Sequence, residues 1–119
     1  MEFQPVMDLA AALDRLDGDQ ELFITLAGLF VERSAPTLTA IRTALAAQDL
    51  PVLIKEAHKL KGSAMEFCGR PAVAAAAALE EAARKTALQD TAALGERMLA
   101  ETERLTAALS EIMEKGFPS

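Results

Sequence analysis

Apolar residues recur every three or four positions along most of this chain, and only a few turn-forming residues interrupt the pattern. Between Asp19 and Asp49 the recurring residues are Leu22, Leu26, Phe30, Leu38, Ile41 and Leu45. This spacing places them on one face of an α-helix, where they can be buried together. Pro36 lies inside the stretch, but the pattern resumes beyond it. We therefore expect one long helix with a kink near residues 32–36 rather than two helices.

Apolar periodicity and stop signals predict four more helices, at about residues 7–16, 50–67, 71–87 and 90–115. Asp19, Asp49 and Asp90 are the expected N-caps, and Gly69 is expected to take a left-handed conformation between the third and fourth helices. Leucine and alanine dominate the apolar residues and only 4% of residues are aromatic, which favours helices over sheets. The predicted fold is all-α: an antiparallel up-down-up-down four-helix bundle with a short extra N-terminal helix.

Composition limits the domain count and the classes of partner. A chain of 119 residues supports one core, so we interpret residues 1–119 as a single domain. The net charge of −6 disfavours binding to nucleic acid or to an anionic membrane surface, which leaves proteins as the expected partners. One cysteine excludes an internal disulfide, and no leader or membrane-spanning apolar run is present. We expect a soluble, cytoplasmic protein.

The stretch KEAHKLKGSAMEFCGR, residues 55–70, contains the only histidine of the chain. On a helix, the stripe that faces the bundle comprises Leu53, Ala57, Leu60, Ala64 and Phe67. His58 lies outside this stripe, and the residues nearest to it in angle are Ile54, Gly62 and Met65. A glycine inside a helix costs roughly 1 kcal/mol relative to alanine, so a function at this exposed strip is the expected compensation.

Three features of this strip favour phosphoryl chemistry at His58. Gly62 removes the side chain that would cover the ring, so a bulky partner can approach it. Lys61 can pair with an anion held at the ring nitrogen, and residues 55–70 carry a net charge of +2 within an acidic chain. Neutral imidazole attacks phosphorus without a separate base and forms a reactive phosphoramidate. We therefore predict that His58 is a nucleophile for a phosphoryl group, and that Ile54 and Met65 contact a docking partner.

The residues AHKLKGSA, which include His58, Lys61, Gly62 and Ser63, resemble the signature of histidine-containing phosphotransfer (HPt) domains. The segment MDLAAALDRLDGDQELFITLAGLF is similar to the N-terminal region of that family. The segment DLPVLIKEAHKLKGSA is similar to the phosphorylation helix of that family and the residues just before it. The resemblance thus covers most of the chain. One departure is Cys68, which stands where the family usually has a glycine, with Gly69 one place later.

The resemblance implies a four-helix bundle in which His58, through Nε2, accepts a phosphoryl group from a receiver-domain aspartate and passes it to another. Lys61 would steady the phosphoryl group, Gly62 would admit the receiver, and Lys59 and Ser63 would flank the site. The implied partners are response-regulator receiver domains and a hybrid histidine kinase. The receiver would supply Mg²⁺, because the chain has no cofactor, kinase activity or nucleotide-binding glycine loop of its own. The predicted partner-binding residues are Ile54, Lys55, Lys59, Ser63 and Met65.

Other interpretations of these residues remain open from the sequence. Lys55 and Lys59 lie on the solvated side, and a contact between Lys59 and the phosphoryl group or receiver is undecided. Glu80 and Glu81 are adjacent, point about 100° apart, and fit a solvated face. One histidine and one cysteine are too few for a metal site. The alternative functions are a non-catalytic helical adaptor and a dimeric, phosphatase-like regulator, although a monomer is our expectation.

Overall fold

The computed structural model describes residues 6–118, and within this range every regular element is an α-helix. The helices are α1 (Leu9–Asp14), α2 (Gln20–Ala47), α3 (Leu50–Met65), α4 (Arg70–Arg84) and α5 (Leu88–Lys115). The predicted all-α class is therefore confirmed. The prediction of a single helix through Pro36 is also confirmed, because α2 continues across this residue for 28 residues in total.

Aspartate caps begin the first three helices. The side chains of Asp8, Asp19 and Asp49 each accept a hydrogen bond from the backbone N–H three residues later, at 3.0, 3.0 and 3.3 Å. The predicted cap at Asp90 is wrong, because the N-cap of α5 is Ala87. The backbone N–H of Asp90 already donates to the Ala87 carbonyl, so Asp90 lies in the first turn, where its charge favours the helix dipole.

The four longer helices pack in a closed ring, in which α2 contacts α3, α3 contacts α4, α4 contacts α5, and α5 contacts α2. Between them lies one core cluster, in which Phe67 makes edge-to-face contacts with Phe23 and Phe30 at centroid distances of 5.4 and 5.5 Å. Alanines of α4, including Ala75 and Ala76, are fully buried in this core. Their small side chains let α4 lie close to its neighbours.

The turn between α3 and α4 differs from the prediction at one residue. Cys68 takes the left-handed conformation, with φ of 51°, whereas Gly69 has φ of −85° and is the N-cap of α4. Gly69 is buried, and a Cβ at this position would lie 3.0 Å from Cδ2 of Leu105 on α5. The glycine therefore serves close packing, and the backbone reverses one residue earlier.

Segments from the N-terminal region hold the C-terminal end of α3 in place. The Asp8 N–H donates to the Cys68 carbonyl at 3.1 Å, and Nη1 of Arg15 donates to the Met65 carbonyl at 2.7 Å. These bonds tie the N-terminal region to the end of α3 and to the turn that follows it. Within residues 6–118, no helix combines the length and apolar character needed to cross a membrane.

Candidate functional site

His58 projects from the outer side of α3. The buried side of this helix comprises Leu53, Ala57, Leu60 and Ala64, as the sequence stripe predicted, together with Glu56, which it did not predict. The His58 side chain is 65% exposed, so the expected exposure of the imidazole is confirmed. The ring is therefore anchored by a rigid, well-packed helix and is open to a visiting molecule.

The imidazole is oriented by a carboxylate from the next helix. Nδ1 of His58 lies 3.1 Å from Oε2 of Glu80 on α4, and the Glu80 side chain is only 8% exposed. Hydrogen bonds from Arg84 and then from Lys61 lower the pKa of Glu80 from its ordinary 4.5 to about 2, against the opposing effect of burial. An ionised carboxylate can only accept hydrogen bonds, so Nδ1 carries the proton. The lone pair of the neutral ring is consequently on Nε2.

The assignment of Glu80 to a solvated face is wrong, whereas Glu81 is exposed and forms a surface ion pair with Lys85 at 2.9 Å. The two neighbours differ because Glu80 belongs to the buried stripe of α4. That stripe contains Ala72, Ala76, Glu80 and Ala83, spaced by four, four and three residues. This spacing was visible in the sequence, and it is the signal that identifies Glu80 as an inward-facing carboxylate.

Lys61 and Gly62 occupy the space beside the ring. Nζ of Lys61 donates to Oε1 of Glu80 at 3.0 Å, and the lysine side chain is 29% exposed. Lys61 thus reaches the His58 region as predicted, but its present partner is a carboxylate of the chain itself. Gly62 is exposed, and a Cβ added there would meet no atom within 4 Å. The surface next to the imidazole is therefore open.

The other predicted site residues are divided between the exposed surface and the packed interior. Met65 is 51% exposed on the His58 face of α3, whereas Ile54 is half-buried and packs against the core. Lys55 is exposed, and Nζ of Lys59 pairs with Glu56 at 3.2 Å. Of the apolar residues expected to be exposed around His58, Met65 is therefore exposed, whereas Ile54 is only partly exposed.

A cavity of about 490 Å³ lies between α2 and α3 and was not predicted. Its apolar wall comes mainly from α2, with Leu26, Leu29 and Phe30, whereas α3 contributes polar groups such as Lys59 and Ser63. Leu29 is 37% exposed at this wall. The cavity is therefore an apolar recess with a polar border, and Lys59, the residue after His58, is part of that border.

The described part of the chain contains no group of three or more His, Cys, Asp or Glu side chains that could hold a metal ion. The polar groups around the ring are instead one carboxylate, Glu80, and two cations, Lys61 and Arg84. This arrangement leaves one net positive charge beside an exposed nucleophilic nitrogen. An anionic phosphoryl group is the kind of electrophile that such a site favours.

A helical bundle that exposes one oriented imidazole beside a lysine defines the class of histidine phosphotransfer modules. Comparison with known families gives the same result, since the model of the Hpt domain matches residues 25–114. The chain therefore belongs to the Hpt domain family and functions in histidine phosphotransfer within phosphorelay signalling. No curated protein has significant sequence similarity to it.

Two solved structures are similar to this fold. One is histidine-containing phosphotransfer protein B (HptB) from Pseudomonas aeruginosa PAO1, with a TM-score of 0.85 and 25% identity over 95% of this chain and 98% of that chain. The other is the HPT domain of the Hpt sensor hybrid histidine kinase from Shewanella, with a TM-score of 0.80 and 19% identity over 92% of this chain and 95% of that chain. The second likeness concerns the fold alone.

Proposed function

We propose that His58 is the phospho-acceptor, which receives a phosphoryl group from the aspartyl phosphate of one receiver domain and passes it to the aspartate of another. The observation that carries this proposal is the bond between Nδ1 of His58 and the ionised Glu80, which leaves the Nε2 lone pair on the exposed side of the ring. A nucleophile of this kind needs no base to remove a proton before attack.

In the forward step, the Nε2 lone pair attacks phosphorus and the bond between phosphorus and the aspartyl oxygen breaks. The leaving group is the receiver carboxylate, so no proton is transferred. The ring gains positive charge as the new N–P bond forms, and Glu80 stabilises that charge through Nδ1–H. In the onward step, a carboxylate oxygen of the second receiver attacks phosphorus and the N–P electron pair returns to Nε2.

Lys61 and Gly62 are proposed to serve the phosphoryl group and the receiver, respectively. Lys61 is partly exposed and three residues from His58, so its ammonium group is well placed to turn from Glu80 to the phosphoryl oxygens. The open space at Gly62 admits the receiver's acidic pocket, which would bring the Mg²⁺ used in the transfer. Glu80 is a positioning residue, because it acts through the imidazole.

We propose that the receiver docks on the surface formed by Met65 and the cavity between α2 and α3. The cavity is lined by Lys59, the residue after His58, and by Glu66, the residue after Met65, and exposed Met65 and Leu29 provide apolar contacts of the kind found at the centres of interfaces. Ser63 borders the cavity. Lys55, Lys59 and Ile54 would contribute at the edge of the contact.

We further infer that residues 1–119 form one monomeric, cytoplasmic domain, in which α2 to α5 make an antiparallel up-down-up-down bundle and α1 is a short N-terminal addition. The closed ring of helix contacts and the single core cluster support this arrangement. A hybrid histidine kinase and response-regulator receivers are the proposed partners. Sedimentation of the purified protein tests the monomer.

The decisive experiment follows a radioactive phosphoryl group from a phosphorylated receiver to the purified protein. We expect acid-labile label on the wild type, transfer of that label to a second receiver, and no label on His58→Gln. Circular dichroism establishes that the variant is folded. Persistent labelling of His58→Gln would refute the assignment. Receiver binding without any label on the wild type would favour a non-catalytic adaptor.

A further inference from the structure

The two oxygens of the Glu80 carboxylate have different partners. Oε1 accepts from Nζ of Lys61 at 3.0 Å, whereas Oε2 accepts from Nη2 and Nε of Arg84 at 2.8 and 3.2 Å. Oε2 is also the oxygen that lies 3.1 Å from Nδ1 of His58. The oxygen that orients the imidazole is therefore the one that Arg84 holds with two N–H groups.

We propose that Arg84 is a positioning residue of the phosphotransfer centre, because it holds the Glu80 carboxylate where Oε2 receives Nδ1–H of His58 and neutralises that carboxylate when Lys61 turns away. The first role, the orientation of the ring, does not depend on the proposed function. Only the second role, the neutralisation of Glu80 when Lys61 turns away, rests on the proposed phosphorylation of His58.

The geometry of the guanidinium explains the orientation. Arg84 is one helical turn after Glu80 on α4, and its planar fork approaches a single oxygen from a fixed direction. The lysine ammonium, by contrast, is a point charge on a flexible stem and imposes little direction. Without Arg84, Lys61 alone would hold the carboxylate, and the carboxylate would be free to rotate away from Nδ1.

The burial of the Glu80 carboxylate explains why it needs a second cation. Glu80 is 8% exposed, whereas Arg84 is 57% exposed and Lys61 is 29% exposed. A buried carboxylate that loses its only cation is destabilising. Because Arg84 remains bound, Lys61 can exchange Glu80 for a phosphoryl oxygen without leaving a buried charge unpaired. In this arrangement two cations share the Glu80 carboxylate: Arg84 stays bound to it, and Lys61 can leave it.

Nitrogen NMR of the imidazole tests the orientation directly, and the single histidine of the chain makes the spectrum unambiguous in a protein without a histidine tag. We expect the wild type to carry the neutral-ring proton on Nδ1. In Arg84→Ala, we expect the ratio of the Nδ1–H to the Nε2–H tautomer to fall roughly threefold to tenfold, the effect of weakening one charge-assisted hydrogen bond. Arg84→Lys should leave the ratio low, because it restores the charge without the fork.

Lys85→Ala is the matched control, because Lys85 is the next residue and forms the equivalent pair with exposed Glu81. We expect a wild-type tautomer ratio in this variant. The second role is tested by the lifetime of the phosphohistidine, which should shorten in Arg84→Ala and recover in Arg84→Lys. Both measurements use the full chain, and thermal melting establishes that each variant is folded.

A wild-type tautomer ratio in folded Arg84→Ala, or an equal change in Lys85→Ala, would overturn the inference. These outcomes are separable from failure of the proposed function. If the wild type accepts label and the ratio does not move, only the role of Arg84 is refuted. If the ratio moves but the wild type never accepts label, the positioning of the ring stands and the phospho-acceptor assignment is refuted.

Discussion

Nδ1 of His58 and Oε2 of Glu80 lie 3.1 Å apart, although the two residues are 22 positions apart in the sequence and belong to different helices. This contact decides which ring nitrogen carries the proton, because the ionised carboxylate only accepts. It also places a negative charge at Nδ1 of a side chain that is 65% exposed. This contact, the cations bound to Glu80 and the open surface beside the imidazole can each be tested separately.

Glu80 should make stability depend on acid pH. The folded pKa of about 2 is below the unfolded value of 4.5, so the stabilisation is complete above about pH 4.5 and is lost as the pH falls through 2. His58 and Lys61 from α3 and Arg84 from α4 face this carboxylate. Urea unfolding should find Glu80→Gln less stable than the wild type by roughly 1–3 kcal/mol at pH 7, with the difference shrinking towards pH 2.

Glu81→Gln is the control for this experiment, because Glu81 is exposed and its pairing with Lys85 is screened by water. We expect its unfolding curve to follow that of the wild type closely. Parallel stability curves for the wild type and Glu80→Gln between pH 7 and pH 2 would contradict the role assigned to the buried carboxylate.

Lys61→Ala should slow transfer onto His58 and shorten the life of the phosphohistidine, because the ammonium group that binds the same Glu80 carboxylate as the ring is lost. The expected reduction in transfer rate is roughly tenfold, which corresponds to one charge-assisted hydrogen bond in the transition state. Rapid quenching of the labelled reaction measures both quantities. Lys115→Ala removes an exposed lysine in the last turn of α5 and should leave them unchanged, and equal effects in the two variants would show that only the overall charge matters.

A side chain introduced at position 62 should limit transfer through its size, without disturbing the fold. The site of its absent Cβ is open, so Gly62→Ala should stabilise α3 by up to about 1 kcal/mol. Gly62→Gln should keep the fold but block transfer by excluding the receiver. Gly28 provides the comparison, because it is also helical with open space at its Cβ. Gly28→Gln should leave transfer intact, and unchanged kinetics in Gly62→Gln would exclude the steric explanation.

Met65 should contribute to receiver binding without taking part in the chemistry. Its side chain is 51% exposed on the His58 face, so Met65→Glu should weaken binding of the receiver by roughly tenfold. Titration calorimetry or the concentration dependence of transfer measures this change. Met113 is a matched control, since it is an exposed methionine on α5, which packs mainly against α2 and α4. A similar loss of binding in Met113→Glu would argue against the proposed docking surface.

Cys68 should carry backbone strain at the turn between α3 and α4. Its φ of 51° is unfavourable for a residue with a Cβ, so Cys68→Gly should be more stable than Cys68→Ala by about 1 kcal/mol. The comparison with alanine removes the sulfur in both variants and isolates the conformational effect. Thermal or urea unfolding of the two proteins measures it, and equal stabilities would disprove the strain.

The helices, the caps at Asp19 and Asp49, and the exposed position of His58 were all evident from the sequence. Each of them depends on interactions within a few residues, such as the spacing of apolar side chains or a bond from an aspartate to a nearby N–H. The same local reasoning located Gly62 and Lys61 beside the histidine. It also predicted that α2 continues through Pro36, because the apolar stripe keeps its phase there.

The tertiary structure alone decided which carboxylate reaches the imidazole and where the chain turns. Glu80 meets His58 only because α4 packs on α3 through small alanines, and this contact turns a helical glutamate into the acceptor for Nδ1–H. The left-handed residue is Cys68, whereas position 69 requires a glycine because Leu105 of α5 occupies the space beside it. In both cases the deciding atoms come from another helix, and their distance is set by how the helices pack and not by local spacing.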